Sequence, residues 1–263
     1  MKYKIKKTMH GSIVGNWKRL GIVPTLFPNI MKPTSKPKLR TLLEHHKILG
    51  IFCDKIKTSE IKDMSGLLKG MPAFNEPIGQ WDTRNVRDMS GMFDGATDFN
   101  QYIGQWDTRN VGDMSGMFKG ARSFNQPFYW DTGKVWDMSC MFMDASSFNQ
   151  SLEHFDTVNV IDMSRMFYRA TEFNQLLDKF KTGNVISMSC MFSYATAFNQ
   201  PLDWDTKNVA DMSRMFYGAT EFNQPLDWNT ENVTNMSYVF RGAKTTQTNP
   251  SSLPLNNPRT IDR

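Results

Sequence analysis

The triplet Asp-Met-Ser, or a close variant of it, returns along most of this chain, and its spacing constrains the fold more than any other feature. Its methionine falls at Met64, Met89, Met114, Met138, Met163, Met188, Met212 and Met236, in steps of 24 or 25 residues. The word Phe-Asn-Gln-Pro-Leu-Asp-Trp occurs verbatim at 198–204 and again at 222–228. Periods of this length belong to chains that stack one supersecondary unit on its copies. The single-residue variation in step lies between the Phe-Asn-Gln word and the next aromatic column (Trp81, Trp106, Trp130, Phe155, Phe180, Trp204). A surface turn absorbs an inserted residue, whereas a packed segment does not, so a turn is expected there.

Each unit repeats its apolar columns. In the second unit they are Trp81, Val86, Met89, Met92, Phe93, Ala96, Phe99 and Ile103. Val86, Met89, Phe93 and Ala96 follow helical spacing, and a glycine often follows the Met-Phe pair (Gly95, Gly120, Gly218, Gly242), as at a helix end. The pattern predicts a short helical turn over Asp-Met-Ser-Gly-Met-Phe-Asp-Gly-Ala and a short extended strand at Phe-Asn-Gln-Pro-Leu. A second register, with the strand at Asn-Val-Arg-Asp-Met, fits as well. One such unit buries too little apolar surface to offset the entropy of ordering its backbone. Stacked units share their apolar faces, so the array folds together. The expected fold is therefore a repeat solenoid of coils, each a short strand plus a short helical turn. Methionine's abundance is accounted for by its fit to irregular gaps between coils.

The Phe-Asn column supplies Asn75, Asn100, Asn125, Asn149, Asn174, Asn199 and Asn223. Identical amides stacked in a core must satisfy one another, which predicts a buried structural asparagine ladder. Two acidic columns run beside it: Asp82, Asp107, Asp131, Asp156 and Asp205, and Asp63, Asp88, Asp113, Asp137, Asp162 and Asp211. Stacked carboxylates can bind calcium. Yet Lys181 and Asn229 interrupt the first column and Ser187 and Asn235 the second. Asp, Asn and Ser share the ability to cap a turn through the side chain, so capping is the expected role. Cys140 and Cys190 hold one frame position two coils apart, beyond disulfide reach. The four histidines show no metal-ligand spacing, and no phosphate loop or hydrolase motif is present. The expectation is a chain without catalytic residues, cofactor, metal or small-molecule substrate.

Charge is divided unevenly. Residues 1–50 carry eleven Lys and Arg against Glu44 alone, a formal +10, so the rest of the chain carries −5 of the total of +5. Residues 1–37, with Pro24, Pro28, Pro33 and Pro37, are predicted to form an extended basic arm; Lys2, Lys4, Lys6, Lys7, Lys32, Lys36, Lys38 and Arg40 supply its charge. Its expected partner is an acidic protein surface, ahead of nucleic acid or membrane. Leu39, Leu42, Leu43, His46 and Leu49 lie at helical spacing, predicting a capping helix in region 38–55. The coils occupy 56–243, and 244–263 is a polar, extended tail.

Function is expected where the repeat varies. The residue before Asp-Met-Ser runs through Trp136, Ile161 and Ile186 in the middle coils but is polar or small at the ends. After Met-Phe, or one residue on, come Met143, Tyr168, Tyr194 and Tyr217, accompanied by Arg165, Arg169 and Arg214. Aromatic, Met and Arg side chains mark protein interfaces, so these ten residues form a candidate protein-binding face. An alternative stays open: Trp136, Ile161 and Ile186 equally suit gaps in the core.

The unit W-D-T-x-N-V-x-D-M-S-x-M-F-x-G-A-x-x-F-N-Q-P-L, over about residues 56–243, resembles the BspA-like repeat family. That family is named for bacterial surface lipoproteins, notably mycoplasmal ones, and occurs also in protists and large DNA viruses. The resemblance implies a leucine-rich-repeat-like solenoid with an interaction role and no catalytic residues. It leads to the expectation of a non-enzymatic scaffold making protein contacts in a larger assembly, with a minor capsid component of a large DNA virus as its most specific form. A free adaptor or surface adhesin is the alternative. The chain shows no signal peptide, transmembrane run or lipid-attachment cysteine of the surface members. The expected location is a virion or host cytoplasm if viral, and otherwise intracellular.

Overall fold

The structure, a computed structural model, describes residues 32–244. It opens with helix α1, Lys36–Leu49, which has Pro37 in its first turn. Proline is tolerated there because the first N–H groups of a helix have no internal acceptor. The helix ends at Gly50 in the left-handed region, φ 65°, the usual C-terminal solution for a residue without Cβ. Leu39, Leu42, Leu43 and His46 are buried against the first coil, whose Met64, Leu67 and Leu68 are in turn fully covered.

Eight coils follow, in parallel and in register. Single parallel bridges join Asp63 to Asp88, Asp88 to Asp113, and so on through Asp137, Asp162, Ser187 and Asp211 to Asn235. Among the described residues no longer strand forms; the predicted strand at Phe-Asn-Gln-Pro-Leu is absent, and the coils meet nearer the alternative register. The predicted helical turn is also replaced. From Met89 to Ala96 alternate N–H groups point in two directions. Those of Met89, Gly91, Phe93 and Gly95 donate to Asp113, Ser115, Met117 and Lys119 of the next coil at 2.7–3.0 Å, while those of Met92, Asp94 and Ala96 donate three residues back within their own coil. Gly91 and Gly95 have φ of 55° and 74°, the left-handed third position of a type II β-turn. Successive β-turns bring every third or fourth residue to one side. That spacing mimics a helix, which is why Met89, Phe93 and Ala96 read as one.

Inside the stack, like lies on like. The Phe93, Phe118, Phe142, Phe167, Phe192, Phe216 and Phe240 rings are stacked 5.2–5.7 Å apart between centroids. A second phenylalanine column starts at Phe74, with steps of 5.9–6.3 Å. Trp81, Trp106 and Trp130 lie parallel within 2°. Each tryptophan also donates its indole N–H to a backbone carbonyl of the preceding coil, as Trp106 does to Ile78 at 3.2 Å, so burial leaves its polar atom satisfied. The inserted residue of the longer coils sits in a turn, as at Gly79–Gln80 and Gly104–Gln105. At the far end Met236, Phe240 and Ala243 are only partly covered.

The left-handed positions give a direct test. A Cβ at Gly95 would meet nothing within 4 Å, so Gly95→Ala reports backbone strain alone and is expected to cost about 1 kcal/mol. Asp144 holds the equivalent place with φ 57°, and Asp144→Gly is expected to be neutral or stabilising. Urea-unfolding midpoints of the two variants should move in these opposite senses.

Candidate interaction face

The polar columns are used up in holding the coils together. In the asparagine column each side-chain oxygen accepts the backbone N–H of the next asparagine at 2.9–3.0 Å, from Asn75 to Asn223. It also accepts the amide of the following glutamine, as Asn125 does from Gln150 at 2.8 Å. The ladder is therefore present, but it is not buried: Asn75 and Asn223 are exposed and the others half-buried. A proline or small turn follows it, and the column forms a seam on the perimeter.

The acidic columns close Asx turns. The Oδ1 atoms of Asp63, Asp88, Asp113, Asp137, Asp162 and Asp211 accept the N–H two residues on at 2.7–2.8 Å; those of Asp107 and Asp205 do so at 3.2–3.3 Å. Among the described residues no three His, Cys, Asp or Glu side chains converge as a metal group would require.

One column had no reading in the sequence. Thr58, Thr83, Thr108, Thr132, Thr157, Thr182 and Thr206 are buried, and each hydroxyl donates to a backbone carbonyl of the next coil at 2.7–3.1 Å. Its signal was the unvarying Thr of Trp-Asp-Thr.

Three of the basic residues assigned to the arm lie elsewhere. Lys36, Lys38 and Arg40 belong to α1. Lys36 bridges Asp63 and Ser65, both at 2.7 Å, and Lys38 reaches Thr34. Arg40 pairs with Glu44 at 2.7 Å and donates to the carbonyls of Leu67 and Lys69. Lys36 and Arg40 pin the cap to the first coil, while Lys38 bonds only within the cap. Lys32 is exposed, and Lys2, Lys4, Lys6 and Lys7 lie outside the described residues, as does the tail from 245 to 263.

What remains on the surface is the set of variable columns. Trp136, Ile161 and Ile186 are 46%, 42% and 52% exposed, so this column does not fill the core. Backbone bonds run straight along it, from Trp136 to Gly112, Ile161 to Trp136 and Ile186 to Ile161, each 2.9 Å. Gly112 leaves room for the indole: a Cβ there would lie 3.2 Å from Trp136 Nε1. In the column after the Met-Phe pairs, Tyr168, Tyr194 and Tyr217 meet edge to face at 6.0 and 5.3 Å. Arg169 lies over Tyr168 and Tyr194 at 5.3 and 5.6 Å. Arg165 and Arg214 are exposed in the neighbouring column, and Met143 is half-buried at its edge. Tyr238 and Arg241 extend the cluster beyond the ten expected residues: Arg214 and Arg241 flank the Tyr238 ring at 5.5 and 5.4 Å. In the first coils Gly66, Gly91 and Gly116 replace these side chains and leave a groove of about 480 Å³. No helix of the described residues is long and apolar enough to cross a membrane.

The model of the family described as "Mycoplasma protein of unknown function, DUF285" matches the chain twice, over residues 39–155 and 137–253. The chain belongs to the DUF285 family. The two DUF285 matches overlap between 137 and 155, as expected when a model spanning several coils slides along a shorter period. The second DUF285 match runs past Lys244 to residue 253. No curated protein matches the chain.

Burial and neighbouring carboxylates make the central aspartates a sensitive point. Burial first, then the charges of Asp113 and Asp162, raise the Asp137 carboxyl above its ordinary range, against the opposing bonds from Ser139. Asp63 is moved the other way: burial raises it, but the Lys36 and Ser65 bonds hold it lower overall. A raised carboxyl contributes stability below its unfolded pKa and loses it as pH rises through the folded one. Asp137→Asn keeps the Oδ1 acceptor for Ser139 and removes the charge. The variant is expected to be more stable than the parent at neutral pH, with the difference vanishing as pH falls below about 4. Thermal midpoints across that range would measure it.

Proposed function

We propose that this protein is a non-enzymatic interaction scaffold of the BspA-like type, a leucine-rich-repeat-like solenoid making protein contacts in a larger assembly. The observation that carries the reading is the exposed column of Trp136, Ile161 and Ile186. The coils on either side place Lys62, Arg87 and Gly112, or Ala210 and Thr234, at the same position. Large apolar side chains aligned in water on adjacent coils mark a contact site. The rest of the face fits that use, because its backbone is already bonded from coil to coil and changes little on binding. The polar columns that could host chemistry are committed to turns and ladders, which supports a role without catalysis. That the assembly is a virus particle rests on the occurrence of BspA-like repeats alone.

The test is native mass in an extract of the source. The unaltered protein is expected in a large complex, and Trp136→Ala combined with Ile186→Ser is expected to release it as a monomer. Exposed positions such as these tolerate change within about 0.5 kcal/mol, so the thermal midpoint should not move. A monomeric parent protein would overturn the assembly reading and leave a free adaptor.

A further inference from the structure

We propose that the arginine–tyrosine cluster on the last four coils is a binding site for an acidic polypeptide segment, read through its carboxylates. The inference rests on the interaction reading above and names the partner's chemistry.

Three observations carry it. The first is unmatched charge. Arg165, Arg214 and Arg241 are exposed, and none has a carboxylate within ion-pairing distance among the described residues. Arg169 has only Asp144, at 3.8 Å. In the first coil the lysine at the column position of Arg241 is neutralised at home, Lys69 by Asp94 at 2.9 Å. The second is preorganisation. Arg169, Arg214 and Arg241 lie against tyrosine rings, which fixes the guanidinium planes and leaves their edges open to bidentate bonds with carboxylates. Tyr194 is accommodated by a glycine in the next coil: a Cβ at Gly218 would lie 2.7 Å from its ring. The third is backbone strain. Arg165, Arg169 and Arg214 have φ of 55°, 55° and 53°, at places where other coils carry glycine. A branched-off side chain in the left-handed region is a cost to folding. Within the fold Arg169 and Arg214 gain tyrosine contacts, but the three arginines make no ion pair shorter than 3.8 Å, which leaves their carboxylate-binding edges available.

The choice of a polypeptide follows from the surroundings. Arg165 and Arg214 sit two coils apart, about 10 Å at the usual inter-strand spacing, which matches carboxylates three residues apart on one side of a polyproline II segment, at about 3.1 Å per residue. The exposed Ile161 lies on the coil of Arg165 and the exposed Ile186 on the coil between Arg165 and Arg214, and they suit aliphatic side chains between the acids. The half-buried carboxylates of Asp162 and Asp211 run between the two columns, and residues 51–263 carry a formal −5. That field opposes a dense phosphate backbone more than it opposes a few spaced carboxylates.

The experiment uses the full chain and fluorescence anisotropy with labelled poly-glutamate peptide, and oligothymidylate of equal charge as comparison. Arg165→Gly combined with Arg214→Gly restores the residue that Gly66, Gly91 and Gly116 hold in the first coils, so the variant should fold at least as well as the parent. The expected result is peptide binding weakened about tenfold or more with an unchanged or raised thermal midpoint, while Lys69→Gln with Lys119→Gln binds as the parent does. Loss of binding only when Lys2, Lys4, Lys6 and Lys7 are changed to Gln would overturn the site in favour of the N-terminal segment. Tighter binding of the oligonucleotide, lost in the same arginine variant, would overturn it in favour of nucleic acid. Trp136→Ala with Ile186→Ser releasing the protein from its complex while the arginine variant leaves peptide binding intact would sink this inference alone.

Discussion

The structure depends on the division of backbone hydrogen bonds between a coil and its neighbour. Every second N–H from the Asp-Met-Ser methionine onward goes to the next coil, and the intervening ones close turns within their own. Neither half suffices alone. A single coil would keep its turns but leave four donors and as many acceptors bare, and unpaired buried backbone groups are costly. The period of 24 or 25 residues is the length of chain that returns those donors to register. This explains why insertions are confined to turns such as Gly79–Gln80: one extra residue between Met89 and Gly95 would shift every donor by one and point it into the coil.

The side-chain ladders repeat that logic around the perimeter. Tryptophan N–H, threonine hydroxyl and asparagine side-chain oxygen each bond a neighbouring coil. The aromatic columns supply the burial and the ladders supply the register. Because the two are separate, a phenylalanine can stand in for tryptophan at Phe155 and Phe180, both still buried, with the loss of one bond each; Phe155 meets Phe128 at a tilt, and the parallel stack resumes from Phe180 to Trp204. The variable columns escape both constraints, and that freedom lets the face change character along the stack. It is glycine-lined in the first coils, apolar in the middle and cationic–aromatic at the end.

The two ends of the described stack are treated differently. At the start, α1 covers the first coil with leucines and ties itself down through Lys36 and Arg40. Its ion pair with Asp63 places a lowered carboxyl at one end of a column whose middle member, Asp137, is raised. Charge along this column is therefore tolerated through its exposed edges and its turn bonds. Ser187 breaks the run of carboxylates after Asp162.

Much of this was legible from spacing. The period, the buried columns, the turn that takes the insertion and the leucines that face the first coil all follow from which positions are apolar and how far apart they fall. Asx turns were legible too, because only their chemistry explains why Ser187 and Asn235 replace aspartate. Other features were not. Successive β-turns and a helix give Met89, Phe93 and Ala96 the same spacing, and only the direction of alternate N–H groups separates them. The asparagine ladder was readable as a ladder but not as an exposed one, since stacking fixes an amide's partners and not its depth. Whether Trp136, Ile161 and Ile186 fill the core or face water was undecidable from their apolar character. The positions of the neighbouring coils decided it. Sequence by itself determined that like residues lie on like. The tertiary structure alone decided which side of each coil meets solvent, because that depends on the hand and φ of turns that any residue type, arginine and tyrosine included, can be held in once the coils above and below are bonded.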